Sequence, residues 1–202
     1  MQLLTQNTKI KNTSKEFGVK LFNFGIPAYK SASGKMTCPF ADKCVKFCYA
    51  KKGAYTWSNV KPAFEARYQA TLRDDFVNVM IDEIKRKKAT HIRVHDSGDY
   101  YSPKYLNKWL TIAKALPSVK FYSYSNSVSF FQGIELPDNY DVIFSDSGKQ
   151  VDLINKAKDR YTKIFKSKQD LENEGFIDAS KFDLLATKFF SPNNNKIGLI
   201  FH

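Results

Sequence analysis

Cysteine, histidine and tryptophan are scarce in this chain of 202 residues, which has three, three and two of them. The odd number of cysteines argues against a disulfide framework of the kind that stabilises small secreted domains. No apolar run approaches the roughly 20 residues needed to span a bilayer, and the first residues lack the basic start and apolar centre of a secretory signal. We therefore expect a cytoplasmic protein, without a membrane segment, whose thiols stay reduced.

Acidic residues are also few, since 20 Asp and Glu stand against 32 Lys and Arg and leave a net charge of +12. Such a charge favours acidic partners, and nucleic acid is the first of these to consider. A solvated lysine-rich surface explains the same excess, so both interpretations stay open. A hydrophobic content of 43% is typical of a globular protein. The length predicts a single domain over 1–202.

The three cysteines, Cys38, Cys44 and Cys48, all lie within eleven positions of a predicted cluster-binding loop, 36–50. Thiolates so close together are typical ligands of zinc or of an iron–sulfur cluster, and cysteines that lie near one another without binding a metal are the alternative. Structural zinc takes four ligands, and this C-x5-C-x3-C run supplies three. A [4Fe-4S] cluster held by three thiolates would instead leave one iron open to a small molecule. The histidines that could complete a zinc site are His91, His95 and His202.

Short β-rich runs alternate with helical patterns along the chain, which is typical of βα units and a parallel sheet. A complete eight-unit barrel takes about 250 residues, so the sequence predicts an α/β fold with a partial (β/α)6 TIM-like barrel. The predicted strands are 19–26, 91–96, 119–124, 140–144, 161–165 and 197–201. The predicted helices are 61–88, 103–116, 149–157 and 167–174, after an N-terminal arm at 1–15 that is either irregular or an edge. Ser102 is the predicted N-cap of the second of these helices, and Pro103 is its predicted first residue.

Four polar stretches fall at the carboxyl ends of predicted strands, where parallel α/β folds bind ligands. They are expected to meet on one face of the sheet. These stretches are the cysteine loop, 95–99, 123–126 and 145–148.

His95 and Asp96 are the candidate catalytic residues, because either side chain could position a substrate or move a proton. Neighbours on a strand face opposite sides, so at most one of the two points into the barrel. A polar residue with its hydrogen bonds satisfied inside the strand is the alternative for each. His91 shares the face of His95 at the far end of the strand, and we interpret it as structural.

Ser123, Ser125, Asn126 and Asp146 are candidate binding residues that could hydrogen-bond a ribose or a carboxylate. The same residue types are ordinary turn formers, and both interpretations stay open. Several aromatic side chains flank the predicted mouth of the barrel, where they could stack on bases or belong to the core. These aromatics are Tyr49, Tyr55, Trp57, Tyr100 and Tyr101.

The cysteine loop resembles that of radical S-adenosylmethionine enzymes, commonly C-x3-C-x-aromatic-C, with Phe47 at the aromatic position. The run from Ser97 through Gly98 and Asp99 to Pro103 similarly resembles that superfamily's Gly-Gly-Glu-x-x-x-Pro segment. This resemblance implies a radical-SAM-like barrel with a [4Fe-4S] cluster on the three cysteines. It also implies S-adenosylmethionine bound beside Ser97–Asp99, with Asp99 accepting hydrogen bonds from the amino group. An acid favoured at a helix N-terminus is the alternative for Asp99.

The cysteine run together with Arg93–Asp99 is similar to a gene-product-88-like family of phage and mobile-element iron–sulfur proteins, over about 22–126. Members often carry further cysteines near the C-terminus, and residues 182–190 here have none. The resemblance implies a radical-SAM-like enzyme of the host cytoplasm, acting on a substrate that the motifs do not specify. The alternative is a non-catalytic module, stabilised by zinc or an iron–sulfur cluster, that binds nucleic acid or a host protein.

Overall fold

The computed structural model describes residues 2–201, without the side chain of Phe47. His202, one of the candidate zinc ligands, lies outside the described residues. The strands are β1 Leu21–Phe24, β2 His91–Val94, β3 Lys120–Ser125, β4 Tyr140–Ser145, β5 Tyr161–Phe165, β6 Ile177–Asp178 and β7 Lys196–Ile200. The helices are α1 Thr8–Phe17, α2 Cys44–Phe47, α3 Lys61–Leu72, α4 Phe76–Lys87, α5 Pro103–Ala115 and α6 Lys168–Asn173.

The seven strands form one curled, all-parallel half-barrel sheet in the order β1-β2-β3-β4-β5-β7-β6. The first five strands are neighbours in the order in which the chain makes them, as in a barrel. This confirms the predicted parallel α/β fold, with one strand more than the six expected. The additional strand, β6, has only two residues and pairs with β7. Such a short strand has too few residues to show an alternating pattern in the sequence.

The main core lies between the outer face of the sheet and the helices α3 to α5. Phe24, Phe76 and Trp109 pack there edge to face, with ring centroids 5.2–5.9 Å apart. Each of these rings is almost completely buried. Since a buried aromatic side chain removes 150–250 Å² from water, this cluster is a major source of fold stability.

A second, smaller core covers the inner face of the half-barrel. Ile10 of α1 and Leu184 of the 3-10 turn Asp183–Ala186 pack there against Tyr122, Ile143 and Ile197 of the sheet. The N-terminal helix and a late segment of the chain therefore close the side of the sheet that the other helices leave open.

The irregular structure expected at 1–15 is wrong for Thr8–Phe17, which forms α1, whereas Thr5 forms an antiparallel bridge with Asn23 of the edge strand β1, as the alternative of an edge predicted. The side chain of Asn7 caps the helix by accepting a hydrogen bond from the backbone N–H of Ile10 at 2.9 Å. Gly18 ends it in the left-handed conformation, at φ +62°. Both are standard helix boundary residues. The polar composition concealed a helix that buries only Ile10 and Thr13.

The single helix predicted over 61–88 is two helices, α3 and α4. Arg73 adopts an extended backbone between them. The Nζ of Lys108 donates to the carbonyl oxygens of Thr71 at 2.8 Å and Arg73 at 2.6 Å. These bonds from α5 satisfy carbonyl groups that the end of a helix leaves without partners. A tertiary contact therefore stabilises a break that the apolar pattern does not show.

The helix predicted over 149–157 is wrong, since only Val151–Leu153 forms a 3-10 turn. The carboxylate of Asp159 accepts from the backbone N–H of Asn155 at 2.7 Å, and the Asn155 side chain accepts from the N–H of Ala157 at 3.2 Å. Asn and Asp side chains that take backbone N–H groups in this way compete with helix formation. Among the helices of residues 2–201, none has the length and apolar character to cross a membrane.

Candidate functional site

The cysteine loop packs directly onto the carboxyl ends of the parallel strands. The N–H of Asp99, after β2, donates to the carbonyl of Thr37 at 3.0 Å. The N–H of Lys149, after β4, donates to the carbonyl of Phe40 at 2.8 Å, and Ala41 pairs with Gly148. The predicted polar stretches after β2 and β4 are therefore joined to the loop by backbone hydrogen bonds.

Cys38, Cys44 and Cys48 are partly buried free thiols. They are close enough that the charges of Cys44 and Cys48 affect the pKa of Cys38, and the charge of Cys48 affects that of Cys44. Burial raises the pKa of Cys38 well above its ordinary value, and Asp99 and the other two thiols raise it further. Burial also raises the pKa of Cys44, while Ser147 acts in the opposite direction. Cys38 and Cys44 are therefore neutral at pH 7 in the apoprotein, so a metal that binds them displaces their protons.

Within residues 2–201, no three or more His, Cys, Asp or Glu side chains are arranged to hold one metal ion. The described histidines lie in other surroundings. His91 is close to Thr90 and the ring of Phe190, at the start of β2. His95 packs against Phe24 and Tyr105 in the main core.

His95 and Asp96 point to different surroundings, but not because of strand alternation: the strand predicted over 91–96 ends at Val94, before both residues. His95 is buried in a left-handed conformation at φ +66°, and its Nε2 lies 2.9 Å from the hydroxyl of Tyr105. Burial, with a smaller effect of Arg93, lowers the pKa of His95 to about 3. His95 is therefore a neutral residue of the core at pH 7.

Asp96 lies instead beneath the segment that follows the cysteines. The hydroxyl of Tyr55 donates to its Oδ2 at 3.1 Å, and the side chain of Asn7 donates to the same oxygen at 3.3 Å. Its other oxygen, Oδ1, is buried without a hydrogen-bond partner in the described residues. A Cβ on Gly25 would lie 2.1 Å from that oxygen, so only glycine permits this approach. Burial raises the pKa of Asp96.

Asp99 joins the ends of β2 and β3. Its Oδ1 accepts from the N–H of Tyr100 and the hydroxyl of Ser125, both at 2.7 Å, and its Oδ2 accepts from the N–H of Asn126 at 2.8 Å. Gly98 precedes it at φ +81°, where a Cβ would clash with Ile26. Ser97 contributes a carbonyl to the N–H of Ile26 at 3.0 Å. The loop 97–99 is therefore held in place on both sides.

The remaining predicted binding residues are only partly brought together. Ser123 is fully buried beside the tyrosines of the main core. The Oδ1 of Asn126 is buried without a hydrogen-bond partner in the described residues, 2.4 Å from the position that a Cβ on Gly148 would take. Asp146 is half-buried, and burial raises its pKa against the opposing effect of nearby lysines. Asn126 and Asp146 thus lie at the carboxyl edge near the cysteines, whereas Ser123 does not.

The aromatics expected at the mouth divide into two groups. Tyr100 is completely buried and Tyr101 stacks on Tyr105 at 4.4 Å, so these two belong to the core. Tyr49 is 54% exposed, but its hydroxyl turns inward and donates to the carbonyl of Asp96. Tyr55 lies beside it, and Trp57 is 60% exposed.

Sequence reasoning missed a buried charge network inside the half-barrel. Asp183 accepts hydrogen bonds from Arg93 and from the hydroxyl of Tyr122, each at 2.8 Å, and lies 2.8 Å from the Nζ of Lys9. Arg93 also packs over the ring of Tyr124. The position of Arg93 within a predicted strand was a signal in the sequence for such a network, because a buried arginine needs an acidic partner. Nothing in the spacing pointed to Asp183, which is 90 residues away.

We expect Asp99 to make the apoprotein less stable as the pH rises. Burial raises the pKa of Asp99 to about 6 from an ordinary 3.8, against its three hydrogen bonds. Its stabilising effect is therefore complete below about pH 4 and is lost as the pH rises through 6. Urea unfolding between pH 4 and 7 should give an Asp99→Asn variant a flatter pH dependence, by on the order of 2–3 kcal/mol. Exposed Asp138→Asn is the control, and identical slopes for the wild type and Asp99→Asn would contradict the assignment.

The comparisons with known proteins identify the family. A family model described as gene product 88 matches residues 1–197. The gene 88 protein of Mycobacterium phage L5 is 25% identical over 153 residues, which cover 68% of this chain and 62% of that protein. The gene 88 protein of Mycobacterium phage D29 is 24% identical over 146 residues, covering 65% and 59%.

The chain thus spans about three fifths of the length of these two phage proteins. No solved structure matches it. The family model covers nearly all of the sequence, including the cysteine loop and every strand except the end of β7. The chain belongs to the gene product 88 family.

Proposed function

We propose that Cys38, Cys44 and Cys48 hold a [4Fe-4S] cluster with one iron open, and that the protein is a radical-SAM-like enzyme. The observation that carries this proposal is the packing of the cysteine loop, through Thr37, Phe40 and Ala41, onto the chain that follows β2 and β4, at the carboxyl edge of the sheet. Parallel α/β folds bind their ligands at that edge. When bound, such a cluster supplies an electron to the sulfonium carbon–sulfur bond of S-adenosylmethionine.

The donor set fits a cluster better than a single zinc ion. Ligands of one zinc all lie about 2.0–2.3 Å from the same point, and no such group of three exists among residues 2–201. Thiolates on a cluster bind different irons and stay further apart. Three thiolates are also one ligand short of the four that structural zinc takes, and they match the three that a cluster with one open iron takes.

Two acidic residues have separate roles in this proposal. Asp99 is a positioning residue, because its hydrogen bonds fix the loop whose N–H binds the carbonyl next to Cys38. Asp96 has an unpaired, buried carboxylate oxygen that can accept a hydrogen bond from a ligand. The unpaired amide oxygen of Asn126 offers a second acceptor. Buried polar atoms without partners are costly, and a bound ligand would remove that cost.

His95 takes no direct part in this proposal. It is neutral and packed in the main core, so we assign it a structural role, in which it supports the chain between β2 and Asp96. Among the two candidates named from the sequence, Asp96 is the one that meets the predicted mouth.

Anaerobic reconstitution tests the proposal. The protein should turn brown with four irons per chain, and S-adenosylmethionine should change the electron paramagnetic resonance spectrum of the reduced cluster. Adenosine, which lacks the amino and carboxylate groups, is the matched control and should leave the spectrum unchanged. Colourless protein with one zinc would reject the cluster. A cluster whose spectrum does not change when S-adenosylmethionine is added would have a role in fold stability only.

A further inference from the structure

The segment from Tyr29 to Lys61 carries much of the chain's positive charge. It has seven lysines and one acidic residue, Asp42, and so contributes half of the net charge of +12 in 33 residues. All seven lysines are exposed. Among the described ion pairs, none involves a lysine of this segment. The charge is therefore available to an anionic partner.

The same segment exposes aromatic surface between its lysines. Trp57 is 60% exposed, the highest value for a large hydrophobic side chain in the described residues. Tyr49, 54% exposed, lies on the same run, next to Lys51 and Lys52. We call the residues 43–61 the cap. Flexible cations together with accessible aromatic rings are the features that bind single-stranded nucleic acid, by phosphate contacts and base stacking.

The cap is attached to the candidate site. The hydroxyls of Tyr49 and Tyr55 donate to the carbonyl and the carboxylate of Asp96 at the end of β2. A single strand of nucleic acid bound along the cap would therefore pass over the carboxyl edge of the β-sheet. The phosphates of a duplex would contact the lysines equally well, but base pairing and stacking in the duplex would hide the base faces on which Trp57 could stack.

We propose that the cap, through Lys51, Lys52 and Trp57, binds single-stranded nucleic acid across the mouth of the half-barrel. This binding surface goes beyond the proposed cluster chemistry and does not require it. Reconstitution and oligonucleotide binding are separate measurements, so each can fail while the other succeeds.

Fluorescence anisotropy with a labelled oligonucleotide of about 15 nucleotides, single-stranded or annealed, tests the proposal. The single strand should bind more tightly than the duplex, and binding should quench the emission of Trp57, since Trp109 is buried. Lys51→Gln/Lys52→Gln should reduce the slope of log affinity against log salt by about 1.4, at about 0.7 per phosphate contact. Trp57→Ala should weaken binding on the order of tenfold and leave that slope unchanged.

The matched control is Lys85→Gln/Lys88→Gln, an equal charge change at the end of α4, which leads into the opposite, amino edge of β2. It should retain the salt slope and nearly all of the affinity. An equal loss in the control would show that binding follows net charge alone. Equal affinity for duplex and single strand, or full affinity in Trp57→Ala, would overturn the stacking role. Absence of binding at low salt would overturn the proposal entirely.

Discussion

Single replacement of Cys38, Cys44 or Cys48 by serine is expected to reduce the iron content of reconstituted protein from four per chain to well under one. The proposed cluster has only three protein ligands, so one loss leaves two. A serine hydroxyl is a harder ligand than a thiolate and does not replace it. Iron and sulfide analysis, together with the visible absorption of the cluster, measures the effect. The three variants should behave alike, since in the proposed cluster each thiol would hold a different iron.

Ser147→Ala is the matched control for Cys44→Ser. Ser147 interacts with that thiol, and its hydroxyl lies 2.9 Å from the hydroxyl of Ser145, but it is not a proposed ligand. The control should keep four irons. Emission from buried Trp109 reports whether each variant remains folded. A cysteine variant that kept a full cluster would remove that cysteine from the ligand set, and one zinc per wild-type chain would favour the non-catalytic module.

The convergence of the cysteine loop with the strand ends was predictable because it follows from topology. Parallel strands place all their carboxyl ends at one edge, so knowing that Cys38 follows β1 and Asp99 follows β2 suffices. Helix α5 was equally predictable from the sequence, because Ser102 is its N-cap and Pro103 is its first residue, as expected. Both inferences use local chemistry with a fixed structural meaning.

The features that escaped prediction depend on contacts between distant parts of the chain. The break between α3 and α4 is stabilised by Lys108, more than thirty residues later. His95 and Asp96 lie beyond the end of β2 at Val94, so strand geometry does not set their orientation, and the sequence did not show which of the two faces the mouth. That choice depends on Tyr55 and Asn7, which meet Asp96 only in the folded protein.

Asp183→Asn is expected to reduce the free energy of unfolding by about 3–5 kcal/mol. Asp183 is completely buried, and it is the acidic partner of Arg93, at 2.8 Å, and of Lys9. Its replacement leaves the guanidinium of Arg93 buried without a counter-charge. Urea unfolding at pH 7 measures the loss. Glu172→Gln, which removes an exposed pair with Lys168 at 3.4 Å, is the matched control and should cost less than about 1 kcal/mol.

The pH dependence separates the charge of Asp183 from its packing. Burial alone would raise the pKa of Asp183, but Arg93 and Lys9 outweigh it and lower that pKa to about 2. The advantage of wild type over Asp183→Asn should therefore be complete above about pH 4 and disappear as the pH falls through 2. A difference that stayed constant down to that pH would assign the loss to packing. Arg93 also donates a hydrogen bond to the hydroxyl of Tyr49, at 3.4 Å. We therefore expect the backbone amides of residues 49–57, within the cap, to exchange hydrogen faster in Asp183→Asn than in the wild type.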